Sequence, residues 1–490
     1  ENYDGGCLDD VANVFSMEND EDYNLGTSAN HWEQNVILGG VKEDGSDATN
    51  ELTYIMIEQW ARLELISPVM SVRFHKNSPE ALYDLCATVL RRGSGEPTIY
   101  NDEQIIPGLV ASGIPLEEAR GYSNDGCWEV LIPGKTNYQY GHVQVLLQLE
   151  YLLTRGKSLV RNQVEAPDFG DPTQFKDFEE FYQAFLASIR HEVDRIMVLR
   201  TTYWSKRYEI APSVLFSAFL DDCIPRGLDI ANGGAKWNMY TFLLTGLSNC
   251  VDSLMAIKKF VYDDKTISME DLIQALWNNF EGQEPLRQML VNRAPKFGND
   301  IAEVDELAAR LMKDFEHIVN ERAAQPDVKE NAESGFVVNV GCGTFESYGN
   351  FGHRCGASAD GRRSQETVSA NYSPSVGLDV NSPTAVIKSI TCPDIMPYYS
   401  GGPLDMSLDA DLLIGEDGKN RLKSLIKSFV ELGGVMMNVN STSPEMLEDA
   451  QVHPEKYPGL RVHLGGLSAY FIALAPEQQK IIINRTKHAL

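Results

Sequence analysis

Segments with strand-like and helix-like hydrophobic patterns alternate along most of this chain, and that alternation restricts its architecture more than any other feature. Asp47-Ala-Thr-Asn offers capping side chains to a helix through Leu52, Ile55, Ile57, Trp60 and Leu63, and Val69-Met-Ser-Val-Arg-Phe alternates as a strand. Ser78-Pro79-Glu80 opens a second helix, with Ser as its cap, that stops at Arg91-Arg92-Gly93. Thr98-Ile-Tyr reads as a strand and Pro115 to Tyr122 as a short helix. Helical periodicity is expected over Val143 to Thr154, Phe175 to Tyr203 and Met239 to Tyr262. The Gly-, Ser- and Asn-dense stretch from Gly335 to Gly402 reads as loops at one mouth of the fold, with Thr384-Ala-Val-Ile strand-like inside it. Val435-Met-Met-Asn-Val is a further strand and Ser443-Pro444-Glu445 a helix start. The chain closes on a strand-like Arg461-Val-His-Leu, a Gly465-Gly466 turn and a helix from Pro476. Parallel strands require crossover helices, so the expected fold is α/β with mostly parallel strands.

At 490 residues and 43% hydrophobic composition, a large core can form. A formal net charge of −28, unbroken by any basic run, repels phosphate backbones and anionic lipid and excludes nucleic acid and membrane surfaces as partners. The most apolar stretches, Gly433 to Val439 and Tyr470 to Ala475, fall far short of the roughly 20 residues a bilayer span needs. Eight cysteines, at 7, 86, 127, 223, 250, 342, 355 and 392, form no CxxC pair and no metal-site spacing, so reduced thiols in a cytoplasm, no metal and no permanently bound cofactor are expected. No signal peptide is legible, and the start at Glu1 without Met leads us to expect that the first residues of the gene product are missing or removed.

Read singly, the chemistry-bearing residues have bland explanations. A lone Cys in such a chain is a small core hydrophobe, Gly465-Gly466 a turn, Glu129 a solvated or paired carboxylate, Tyr138 and His142 packing residues, and Arg362-Arg363 a surface turn. Two segments change that reading for three residues. Tyr457-Pro-Gly-Leu-Arg-Val-His-Leu-Gly-Gly466-Leu-Ser-Ala-Tyr-Phe471, followed by Pro476-Glu-Gln-Gln-Lys-Ile-Ile-Ile-Asn-Arg-Thr486, resembles the C-terminal signature of the glycyl radical enzymes. Gly126-Cys127-Trp128-Glu129, with Pro133-Gly-Lys-Thr136 after it, resembles the active-site cysteine loop of the pyruvate formate-lyase-like lyases and dehydratases in that family. Asp47-Ala-Thr-Asn, Tyr100-Asn-Asp-Glu, Asp360-Gly-Arg-Arg and Pro383-Thr-Ala-Val-Ile-Lys-Ser extend the likeness in the family's order.

The resemblance implies part of a ten-stranded β/α barrel whose lumen receives the Cys loop, at about 123–136, and a C-terminal glycyl radical loop. It divides the chain into 1–434, the barrel portion, and 435–490, the glycine radical domain. It implies a radical stored on Gly466, installed by a partner radical S-adenosylmethionine enzyme, with Cys127 relaying it to substrate and Glu129 as general acid or base. Only glycine lets the radical carbon flatten without a side chain in the way, and a thiol S–H is close enough in strength to such a Cα–H for the two to trade hydrogen. Tyr138 and His142 are candidate lumen-lining residues.

The expected activity is therefore anaerobic cleavage of a C–O or other C–X bond in a small polar metabolite. A decarboxylase of an arylacetate type and a non-catalytic glycyl-domain subunit are the alternatives. His463 stands where the family usually has arginine, and Trp128 is bulkier than the usual aliphatic residue. Gly141 stands where the dehydratases commonly carry an aspartate. The length implies either one piece of a cut or truncated polypeptide or an enzyme of two subunits, and a second polypeptide completing the barrel, within an oligomer, is the expectation.

Overall fold

The computed structural model describes residues 35–483 apart from 67, 94, 204, 205, 346, 475, 477, 478 and 481. Cys7 and most of the helix expected from Pro476 lie outside the described residues. Two sheets organise the chain. The larger takes strands β1 (Asn35–Gly39), β2 (Val69–Phe74) and β3 (Gly95–Asn101) with β9 (Pro403–Ser407) and β10 (Met436–Asn440), in the order β1-β2-β3-β10-β9. All neighbours are parallel except β3 and β10. The smaller is the fully parallel set β6 (Thr136–Gln144), β7 (Trp237–Thr245) and β8 (Phe336–Cys342). Cys342 N–H donates to Gly401 O at 3.0 Å, joining the end of β8 to the segment that leads into β9.

Helices cover the sheets as crossovers. The first, α1 (Glu51–Arg62), starts where the sequence places it: Asn50 accepts from Leu52 N–H while the Thr53 hydroxyl accepts from Asn50 N–H, a reciprocal cap. In α2 (Glu80–Leu90) the cap position is Pro79 and not Ser78, whose hydroxyl accepts from His75 N–H instead. Behind β6 to β8 lie α3 (Val145–Leu153), α4 (Phe178–Tyr203), α5 (Leu247–Ile257) and α6 (Ala302–Ala323), packed on one another around Phe185, Ile189, Leu254, Leu311 and Phe315.

Three expectations are corrected. Val143 and Gln144 end β6 before the helix begins, and Met239 to Thr245 is strand β7, not helix. Both faces of a parallel strand are covered, which removes the two-residue alternation that identifies a half-buried strand. Thr384-Ala-Val-Ile belongs to helix α7 (Pro383–Thr391), whose Ser382 cap accepts from Ala385 N–H and whose Pro383 sits in the first turn. The third correction is Arg362, which is buried and not a surface turn. Its guanidinium donates to the carbonyls of Gly356, Arg363 and Glu366.

The C-terminal part has its own apolar cluster. Leu447, Ala450, Val462, Ala469, Phe471, Leu474, Ile482 and Ile483 pack together apart from the large core. They come from helix α8 (Pro444–Val452), the hairpin of β11 (Arg461–Leu464) and β12 (Leu467–Tyr470), and the residues after it. Among the described residues no helix is long and apolar enough to cross a membrane.

Candidate active site

Cys127 is carried by a tight hairpin between β4 (Ser123–Asp125) and β5 (Glu129–Leu131), in which Asp125 pairs with Glu129 and leaves Gly126-Cys127-Trp128 as the loop. Gly126 turns the chain at φ +54°, and its carbonyl accepts from Asn35 Nδ2 at 2.7 Å. The Glu129 carboxylate folds back over the loop and accepts from Trp128 N–H at 2.8 Å. Cys127, Trp128 and Glu129 are all buried.

Gly466 is presented by the second hairpin. Leu464 pairs with Leu467, so Gly465 and Gly466 form a two-residue turn, both at positive φ, +59° and +116°. A two-residue turn between twisted strands favours this handedness, which glycine adopts without strain. The tip of this turn lies on Cys127. A methyl group placed at Gly466 would overlap Cys127 Cβ and stand 2.7 Å from its Cα and 3.0 Å from its carbonyl carbon. The hydrogen in that direction therefore faces Cys127, and residues 339 positions apart in the chain are in contact.

The hairpin reaches this position through polar anchors. Glu96 is fully buried and accepts from the Ser468 hydroxyl at 2.7 Å and from Met70 N–H at 2.8 Å. Burial pushes its carboxyl up to about 8, against the opposing influence of Ser468, the Met70 amide and the Arg461 charge. His463 N–H donates to Asn440 Oδ1 at 3.2 Å, and the Arg461 guanidinium donates to Leu65 O at 2.9 Å while lying 5.0 Å from the centre of the Trp60 ring.

The wall around the loop comes from both sheets. Tyr138, Tyr140 and His142 alternate onto one face of β6. The Tyr138 hydroxyl donates to Ser400 O at 3.1 Å, and the Glu129 charge joins burial in pushing the phenol far above its ordinary value. His142 Nδ1 lies 3.0 Å from Thr245 Oγ1, and burial lowers the imidazole to about 3, so it is neutral. Its ring packs on Tyr140, Phe345 and Phe351 and reaches the Cys127 loop through Phe345, which stacks on Trp128. From the larger sheet comes Tyr100, fully buried, whose phenol is pushed up by burial and then by the charges of Glu129 and Cys127. Tyr100 stands in the Tyr100-Asn-Asp-Glu motif, which by itself gives it no place in the site, and neither Glu96 nor Phe345 lies in a motif.

At Gly141, on the other face of β6, a side chain would overlap the Tyr240 hydroxyl and stand 2.9 Å from Ile196, so a carboxylate there would point away from this wall. Among the described residues no group of three His, Cys, Asp or Glu side chains could hold a metal ion.

The geometry sets a buried cysteine against a glycine α-hydrogen, with a carboxylate two residues along, so a hydrogen-atom donor and a proton acceptor meet at one enclosed point. Residues 12–339 match the family model for pyruvate formate lyase-like proteins and residues 368–472 the one for the glycine radical.

The chain belongs to the glycyl radical enzyme family.

Within the family it is 31% identical over 455 residues to trans-4-hydroxy-L-proline dehydratase of Clostridioides difficile, covering 92% of this chain and 56% of that protein. It is 33% identical over 465 residues to isethionate sulfite-lyase of Oleidesulfovibrio alaskensis, covering 94% and 55%. The glycerol-bound B12-independent glycerol dehydratase from Clostridium butyricum superposes with a TM-score of 0.85 at 33% identity, over 92% of this chain and 56% of that one. The chain thus spans just over half the length of the relatives it matches, and its α/β sheets form part of their barrel fold.

Proposed function

We propose that this chain is the radical-bearing part of a lyase or dehydratase that cleaves a C–O or other C–X bond in a small polar metabolite. The observation that carries the reading is the Gly466 α-hydrogen facing Cys127, with Glu129 beside it. Residues 435–490 are taken as the radical domain and 1–434 as its barrel portion. A partner radical S-adenosylmethionine enzyme removes hydrogen from Gly466, and the protein works in an anaerobic cytoplasm.

In turnover Cys127 gives its thiol hydrogen to Gly466 and the resulting thiyl takes hydrogen from a substrate carbon that bears OH. Glu129 removes the proton of that OH as the neighbouring group departs, leaving a carbonyl-stabilised radical. For a hydroxyl leaving group, the proton taken by Glu129 is passed to the departing oxygen, which leaves as water and returns Glu129 to its carboxylate. The product radical then recovers hydrogen from Cys127, and Cys127 from Gly466. Burial of the loop keeps water and oxygen from these radicals.

The five- and three-stranded sheets supply part of the relatives' barrel, and its completion, by further residues of the same polypeptide or by a second one, belongs to the proposal. Electron paramagnetic resonance on the anaerobically activated protein, supplied with its activating enzyme and any such partner, tests the proposal. A doublet in the wild type that is absent from Gly466→Ala supports it. Its absence from the wild type, with an activating enzyme of verified function, leaves the non-catalytic subunit as the better reading.

A further inference from the structure

Trp128 is the largest fully buried side chain in the molecule's described part, and the fold makes specific room for it. A methyl group at Gly343 would overlap the far edge of its indole and stand 2.7 Å from Cζ2, and one at Gly401 would stand 2.7 Å from Cζ3. The benzene ring of the indole therefore fills a slot that exists because two residues from different segments lack side chains. One face of the ring is closed by Phe345, stacked with centroids 4.5 Å apart and planes 7° from parallel.

Phe345 is itself held with some strain, at φ +52°, a conformation that bulky residues adopt only when their surroundings impose it. The imposing group is Asn371, whose Oδ1 accepts from both Thr344 N–H at 2.9 Å and Phe345 N–H at 3.1 Å. Asn371 Nδ2 in turn donates to Asp405 on β9, and Asp405 accepts from Asn438 on β10. A continuous chain of contacts thus runs from the larger sheet through Phe345 to Trp128, the residue bonded to Cys127.

We propose that Trp128 is a positioning residue, whose indole in the Gly343–Gly401 slot fixes the Cys127 thiol against Gly466. The inference rests on the reading that these two residues trade hydrogen. It deepens that reading by naming what holds the thiol there. A one-residue lever of this kind matters because hydrogen transfer requires contact, and displacement of a reacting atom by about 1 Å can cost on the order of 100-fold in rate. A smaller side chain at 128 would leave the slot empty and let the loop tip shift.

Two measurements test this, neither requiring the substrate. On the activated protein in D2O, a thiol that exchanges with solvent and trades hydrogen with Gly466 carries deuterium onto the α-carbon, and the doublet collapses to a singlet. Cys127→Ala should abolish that collapse. Trp128→Val and Gly343→Ala should slow it by about tenfold or more, whereas Trp128→Phe, which keeps a ring in the slot, should stay within about threefold of wild type.

On the unactivated protein, site-resolved alkylation of Cys127 should quicken by about tenfold or more in Trp128→Val and Gly343→Ala, with the buried Cys250 and Cys342 unchanged as internal references. Collapse and alkylation at wild-type rates in both variants would overturn the proposal. So would a rise at Cys250 and Cys342 equal to that at Cys127, which would make Trp128 an ordinary core residue. A wild type without any doublet counts against the radical reading itself, and the alkylation series still decides whether Trp128 fixes the loop.

Discussion

At residue scale the site depends on what Gly466 lacks. Its φ of +116° and its contact with Cys127 leave no space for even one methyl group. Gly466→Ala should therefore do more than remove the radical: it should also destabilise the packing of the two hairpins by about 1–3 kcal/mol, read as a lowered thermal midpoint beside the missing doublet. An unchanged midpoint would mean that the two loops are not in contact in solution. Glu129 permits a cleaner test. Glutamine keeps an oxygen to accept from Trp128 N–H, so Glu129→Gln should retain the fold and the doublet while turnover falls by about 100-fold or more. Full activity in that variant would remove Glu129 from the proton transfers. These residues were legible because each lies in a short contiguous motif. Phe345, Asn371 and Asp405 were not, because each acts through a partner at least 26 residues away.

At the scale of elements, the β11–β12 hairpin is seated by polar contacts in which one group titrates. The buried Glu96 carboxyl, at about 8, holds a proton that a hydrated carboxyl with its ordinary value of 4.5 would release. Ser468, the Met70 amide and Arg461 are the groups that favour its ionised form. Between those two values, lifting the hairpin so that Glu96 meets water releases a proton. The seated state is therefore fully stable below about 4.5, weakens as pH rises by at most about 1.4 kcal/mol per unit, and levels off above about 8. Hydrogen exchange of residues 461–470, corrected for intrinsic rates, should quicken across that window in the wild type and stay flat in Glu96→Gln. A flat wild-type profile would mean that Glu96 is hydrated in the seated state. Most elements were readable, as the caps at Asn50 and Ser443 illustrate. The errors of element type at Met239 to Thr245 and Thr384 to Ile387 share one cause: both runs are largely apolar or β-branched, and such runs serve a buried strand or a buried helix face equally.

At the scale of the whole molecule, two apolar clusters of unequal size meet through the site. The cluster around Leu447, Val462, Phe471 and Ile483 is small and separate from the large core, so its share of the stability is correspondingly modest. Residues 444–483 are expected to open as one unit in native-state hydrogen exchange, before the amides of β2, β3 and β7. Protection lost at a single common free energy in both parts would show instead that the two clusters unfold together. Sequence alone was sufficient for the α/β class, the family likeness, and the choice of the three residues proposed to move hydrogen and protons, since these rest on local pattern and on motifs a few residues long. Only the tertiary structure decided that Gly466 touches Cys127, that Glu96 clasps Ser468, and that an indole at 128 is seated between Gly343 and Gly401. Those contacts join residues hundreds of positions apart, and the space or burial each one needs is created by packing, which no local stretch of sequence encodes.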